Sequence, residues 1–137
     1  MAGSSGSIAA LDLGTARIGV ALADLEIRLP HPADTLKNDD SLVQHLHELC
    51  DREKVAQLVI GLPRGLEGQT THQTEATRSF GSKLADQLKL PVSWQDEALT
   101  SAQAEAELKA RGKPFTKEAI DALSATYILE DYLRAKI

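Results

Sequence analysis

The sequence predicts an α/β protein with a mixed central sheet covered by helices, and three observations carry that reading. Ile8-Ala9-Ala10-Leu11 and Ile18 to Leu22 are apolar runs separated by a short glycine turn, the pattern of a hairpin built from buried strands. Two more strand-like runs, Val55 to Leu62 and Val92 to Gln95, each follow a segment with helical periodicity. Two further helical segments close the chain, and 137 residues suit a single domain with a sheet and helices packed on it.

Taken in order, Met1 to Ser7 is small and polar, and reads as a flexible tail or an expression-vector remnant ahead of a domain spanning 8–137. The first strand ends at Asp12 and the turn Leu13-Gly14-Thr15, and the second runs back beside it. Arg28 to Pro32 is expected to add a short third strand, with Pro30 and Pro32 confining it to an edge. Asp39 or Asp40 can cap the first helix, in which Leu42, Leu46, Leu49 and Cys50 share a face. The strand Val55 to Leu62 stops at Gly61-Leu62-Pro63. Ala76, Phe80, Leu84 and Leu88 then advance in steps of four along a second helix. Pro91 breaks the chain before the short strand that ends at Asp96-Glu97. Thr100 and Gln103 have capping-box spacing for a third helix from about Ala102 to Arg111, closed by Gly112. Thr116 is the expected N-cap of the last helix, where Asp121 shares a side with Ala125, Ile128 and Tyr132.

Composition excludes several classes. With 42% hydrophobic and 26% charged residues the chain is an ordinary globular sequence. No apolar run approaches the roughly 20 residues that span a bilayer, and no signal peptide opens the chain, so a cytoplasmic protein is expected. The lone Cys50 lies on an apolar helical stripe and reads as a buried, inert thiol, which leaves neither a disulfide nor a cysteine zinc site. A net charge of −5 argues against bulk electrostatic coating of nucleic acid, but carboxylates that hold cations would contribute to it.

Asp12 is the sharpest single feature. A carboxylate closing an apolar strand needs a metal, a basic partner or backbone donors, and Gly14 beside it permits close approach of a ligand. The alternative is a turn aspartate that accepts local backbone hydrogen bonds. Asp96 and Glu97 close another strand. Alternation sends them to opposite faces, so one of the two is expected to face Asp12, with Glu97 preferred and Asp96 the alternative ligand or its orienter. Asp121 is the third acid, on a helix whose small Ala122, Ser124 and Ala125 allow close packing on the sheet. Its alternative is an ordinary first-turn carboxylate stabilised by the helix dipole. Together, three carboxylates make a hard oxygen site for Mg²⁺ or Mn²⁺, as one ion or as two about 3.5 to 4 Å apart, suited to phosphodiester hydrolysis. Arg17, Arg64, Lys109, Arg111, Lys113 and Lys117 are candidates to hold a phosphate backbone across that centre; the alternative is a solvated surface cluster. His45, His47 and His72 read as surface or helix-face residues.

Four segments then carry a specific resemblance. They are Leu11-Asp12-Leu13-Gly14-Thr15-Ala16-Arg17-Ile18-Gly19-Val20-Ala21 with Asp24 after it, Gly61-Leu62-Pro63-Arg64-Gly65-Leu66-Glu67-Gly68, Asp96-Glu97-Ala98-Leu99-Thr100-Ser101, and Asp121-Ala122-Leu123-Ser124-Ala125 followed by Ile128-Leu129. In this order and spacing the chain resembles the YqgF/RuvX family, Holliday-junction-resolvase-like proteins described as pre-16S ribosomal RNA nucleases, from Ile8 to Leu133. The resemblance implies an RNase H-like fold, a metal-dependent phosphodiesterase processing the 5′ end of pre-16S ribosomal RNA, and an acidic site at Asp12, Asp96-Glu97 and Asp121. The implied partner is structured precursor RNA or branched DNA, with a homodimer compatible and no membrane involved. Two positions depart from the family pattern: Ala98 stands where arginine is usual, and Glu67 where aspartate is common. A Holliday-junction DNA resolvase and a non-catalytic RNA-binding ribosome-maturation factor are the alternatives. The D-L-G-T turn also resembles the phosphate turn of actin-like ATPases, but the chain is short for their two-domain cleft.

Overall fold

The computed structural model describes residues 6–97 and 100–135, with side chains from 103 onward in the second span. Its element order is β1 (Ser7–Leu13), β2 (Arg17–Asp24), β3 (His31–Lys37), α1 (Leu42–Glu53), β4 (Val55–Pro63), α2 (His72–Leu88), β5 (Val92–Glu97), α3 (Thr100–Ala110) and α4 (Lys117–Ala135). The five strands form one mixed sheet in the order β3-β2-β1-β4-β5, as the sequence predicts for the fold class. β1, β2 and β3 are an antiparallel meander, whereas β4 and β5 run parallel to β1 because a helix carries the chain back before each.

Alternation along the strands divides the core in two. Ala9, Leu11, Ile18, Val20, Leu22, Leu58 and Ile60 face α1 and α2, packing on Leu42, Leu46, Leu49, Leu84 and Leu88. Ile8, Ala10, Ala21, Ala23 and Val59 face α4, against Ala125, Ile128, Leu129 and Leu133. The α4 side of the sheet is the small-residue side, and this lets a helix lie unusually near the strands. At Gly19 an added Cβ would stand 2.0 Å from the Asp121 carbonyl oxygen, so backbone rests on backbone there. α3 packs outside, through Ala104 and Leu108 on Leu123, and the Tyr127 hydroxyl donates to Glu107.

The boundaries differ from expectation in instructive places. β1 begins at Ser7, whose amide donates to the Lys54 carbonyl at 2.9 Å, so the last two residues of the expected tail belong to the fold. The third strand starts at His31 rather than Arg28. Asp24 Oδ1 accepts from the amides of Glu26 and Ile27 and curls the chain into a turn, and Arg28 then takes a left-handed φ of 61° before Pro30. β3 itself is exposed and polar, so it lacks the apolar signature by which the other strands are recognised, and its register shifts near Pro32. Ser41, not Asp39 or Asp40, occupies the N-cap of α1; Asp39 instead accepts from the Ser41 amide and hydroxyl. In α2 the inward face is Thr74, Thr77, Gly81, Leu84, Ala85 and Leu88, while Ala76 is exposed. Thr116 caps α4 through the Ala119 amide at 3.2 Å. The side-chain cap expected from Thr100, and Ala98, lie outside the described residues. Among the described residues no helix is long and apolar enough to cross a membrane.

Candidate active site

Three elements deliver the three acids. β1 ends in Asp12, which pairs with Gly19 of β2 and continues the alternation of Ile8 and Ala10, so its side chain leaves the sheet on the α4 face. β5 extends two residues beyond its apolar part, through Glu97, which pairs with Pro63 of β4. Strand parity therefore holds to the end of β5. Ser93, which hydrogen-bonds with Gln57 and Tyr132 of α4, sets the α4 face of that strand, and Glu97 falls on the same face. Glu97 Oε2 lies 3.4 Å from where a Cβ of Gly61 would stand, so the missing side chain of Gly61 leaves room for it. Asp121 comes from the second turn of α4, held over β2 at Gly19.

Asp96 goes to the other face. Its Oδ1 accepts from Arg64 Nε at 2.9 Å, and the side chain is two-thirds exposed. The reading of Asp96 as a metal ligand beside Asp12 does not fit this geometry, because neighbouring residues of an extended strand point in opposite directions.

The electrostatics mark Asp12 as the centre. Its carboxyl is pushed up to about 8, first by burial, then by the charge of Glu97 and a hydrogen bond with it, then by the charge of Asp121. Asp12 therefore keeps its proton well above the usual carboxylate range, in a hydrogen bond with Glu97. Asp121 is met by a different partner: Arg17 Nε donates to its Oδ2 at 2.5 Å, and the carboxylate raises the guanidinium above its ordinary value. Among the described residues no three His, Cys, Asp or Glu side chains are already disposed around one ion. The donor set nevertheless fits a hard divalent cation: it offers only carboxylate oxygens, and its mutual repulsion is relieved in Asp12 by a proton that such a cation can replace.

Of the cations read as phosphate contacts, Arg64 is committed to Asp96 and to Thr70 Oγ1 at 2.7 Å, fixing the loop after β4. Lys109 pairs with Glu105 at 3.3 Å and Arg111 with Glu107 at 2.5 Å, both exposed and both on α3 or its end. Such surface pairs are weak and exchange readily for a phosphate. Arg111 and Lys113 line, with Phe115 and Pro114, a cavity of about 340 Å³ at the turn between α3 and α4. Lys117 is exposed at the start of α4. Sequence reasoning did not find Gly19 and Gly61, the residues whose missing side chains make the site; the alternation of Gly19, Ala21 and Ala23 along β2 was the available signal.

The family model for RuvX, described as Holliday junction resolvase, matches residues 6–135. A protein of Lactococcus lactis subsp. cremoris (strain SK11) named "Putative pre-16S rRNA nuclease" is 38% identical over 134 residues, covering 93% of this chain and 94% of its own. One of the same name from Rhizobium rhizogenes (strain K84 / ATCC BAA-868) is 38% identical over 131 residues, covering 93% of this chain and 80% of its own. Among solved structures, T. thermophilus RuvC in complex with Holliday junction substrate superposes with a TM-score of 0.55 at 17% identity, over 96% of each chain. The Fowlpox virus resolvase, solved with Holliday junction DNA, gives 0.55 at 11% identity over 96% of this chain and 99% of its own. These structures share the RNase H-like resolvase fold with the present chain.

Proposed function

This chain belongs to the RuvX family, and from that premise we propose that it is a divalent-cation-dependent nuclease acting on the 5′ end of precursor 16S ribosomal RNA. The observation that supports this most is the meeting of Asp12 and Glu97 in one hydrogen-bonded pair under the charge of Asp121, at the end of the sheet and on one face of it.

Asp12, Glu97 and Asp121 are the residues that would hold Mg²⁺ or Mn²⁺. Bound there, one or two such ions would supply Lewis acidity toward water and toward the charge on the scissile phosphate. The raised carboxyl of Asp12 would have to give up its proton for a cation to bind there. The half-buried setting of Asp12 limits competing water, which strengthens the field of the acids on whatever cation they bind. Arg17 at the start of β2, with Arg111, Lys113 and Lys117 beyond it, supplies the positive charge that holds the phosphate backbone. Arg64 serves this centre indirectly, by pinning the loop after β4 to Asp96. A ribosomal precursor as substrate implies a cytoplasmic protein.

The test is cleavage of 5′-extended 16S precursor RNA and of branched DNA by the purified protein with Mg²⁺ or Mn²⁺. The RNA is expected to be trimmed, and Asp12→Asn to abolish trimming while leaving the fold intact by circular dichroism. Cleavage of branched DNA alone would make the protein a junction resolvase. Saturable RNA binding without turnover would make it a maturation factor, and cleavage indifferent to chelation or to Asp12→Asn would overturn the proposed centre.

A further inference from the structure

Arg17 and Asp121 are 104 residues apart in sequence, yet one guanidinium nitrogen donates to one carboxylate oxygen at 2.5 Å. Both side chains stand on fixed bases. Arg17 opens β2 two residues before Gly19, and the α4 backbone at Asp121 rests on Gly19 without room for a Cβ. One turn earlier, Thr35 of β3 donates its hydroxyl to the Glu118 carbonyl at 2.6 Å, tying the start of α4 to the sheet a second time. The helix is thereby held from two strands, so any change in the pair must come from side-chain rotation.

The pair is open to solvent, with the Arg17 side chain 30% and that of Asp121 21% exposed. A guanidinium carries five N–H donors in a planar fork that fits carboxylate and phosphate alike. A phosphate can therefore reach the same group that Asp121 now engages, and an Asp121 oxygen engaged by Arg17 is one fewer oxygen for a cation. The carboxylate that acts most on Arg17 is that of Asp121, with a smaller contribution from the charge of Glu118.

Resting on the nuclease reading above, we propose that Arg17 is a positioning residue that acts as a latch on Asp121, occupying the carboxylate in the free protein and releasing it to the cation when a nucleic-acid phosphate takes the guanidinium. Nucleic acid and cation then bind with positive coupling, and by linkage each raises the affinity of the other to the same extent. The centre then loads fully only when nucleic acid is bound.

The latch is tested without turnover. In EDTA, binding of a labelled RNA hairpin carrying the precursor 5′ extension is measured for wild type, Asp121→Ala, Glu97→Ala and Arg17→Lys, with folding checked by circular dichroism. Asp121→Ala frees Arg17 and is expected to tighten RNA roughly three- to tenfold, whereas Glu97→Ala, which removes a carboxylate from the same centre but keeps the Arg17–Asp121 pair, is expected to change it less than twofold. In the absence of RNA, Mn²⁺ affinity, followed by the free-ion resonance signal, is expected to rise in Arg17→Lys, which keeps the charge but loses the Nε donor. Equal effects of Asp121→Ala and Glu97→Ala on RNA, or unchanged Mn²⁺ affinity in Arg17→Lys, would overturn the latch and leave the metal centre standing. Should Asp121→Ala fail to fold, the Mn²⁺ arm with Arg17→Lys decides alone. Mn²⁺ binding that survives Asp12→Asn undiminished, or absence of RNA binding by every protein, would remove the nuclease reading and the latch with it.

Discussion

The carbonyl oxygen of Asp121 lies directly over Gly19, 2.0 Å from where a Cβ would stand. Neither partner can yield, since both are backbone in regular elements. Gly19→Ala is expected to push α4 off β2, destabilise the protein by about 3 kcal/mol and abolish cleavage by displacing Asp121. Gly61→Ala provides the comparison. There the clash at 2.6 Å is with the Cδ1 tip of Ile128, which can rotate, so a loss of about 1 kcal/mol is expected. Urea unfolding of the two variants, read beside activity, checks the contrast.

Asp12 makes the cation-free protein sensitive to pH in a defined direction. Its carboxyl titrates at 3.8 in an unperturbed chain and at about 8 when folded. Below the lower value both states hold the proton; between the two values only the folded state does, so the stabilisation present at low pH is lost as pH rises through about 8. Asp12→Asn is expected to remove that slope and to be more stable than wild type near pH 8 by a few kcal/mol, each pKa unit being worth about 1.4 kcal/mol. Thermal unfolding in EDTA across pH 5 to 9 measures it, as approximate bounds of the window. An unchanged slope in Asp12→Asn would contradict the assignment.

Adding Mg²⁺ or Mn²⁺ reverses the sign of this contribution, because a ligand bound only by the folded state stabilises it by mass action. At about a hundred times the dissociation constant the gain is about 2.7 kcal/mol. Calorimetric scans should show the melting temperature rising with cation in wild type and staying level in Asp12→Asn.

The two neighbouring acids of β5 take opposite faces, and their substitutions are expected to differ accordingly. Glu97→Gln is expected to lower cleavage at least about a hundredfold, as loss of a group in the reacting centre does. Asp96→Asn, on the far face, loosens only the Arg64 contact, and single-turnover rates within about threefold of wild type are expected because an exposed ion pair contributes little. A larger effect of Asp96→Asn than of Glu97→Gln would reverse the assignment.

Cys50 is buried on the inward face of α1, and burial followed by the charge of Asp51 pushes its thiol up to about 11. Iodoacetamide near pH 8 is expected to leave the native protein unmodified and to alkylate it in denaturant, as intact-mass measurement would read.

Much of this was legible in one dimension because it is encoded locally. That a strand buried on both faces ends in Asp12 beside a glycine turn follows from residues 8–14 alone, whereas the uniform apolar run leaves open which helix layer Asp12 faces. Thr116 before a run of helical spacing likewise sets the start of α4, and with it the core-facing side on which Asp121 falls. β3 begins later than the sequence suggests because an exposed, polar edge strand has no hydrophobic period, and its start depends on the Asp24 turn. The choice between Asp96 and Glu97 needed the structure, since parity holds only as far as a strand extends, and β5 is kept extended to Glu97 by pairing with β4. The partner of Arg17 lies 104 residues away, beyond any periodicity, and only the seating of α4 on Gly19 brings it within reach. Local sequence determined which strand end or helix carries each acid; the reach of β5 and the docking of one element on another decided which acids and which arginine meet, because that depends on pairing and close approach across the sheet.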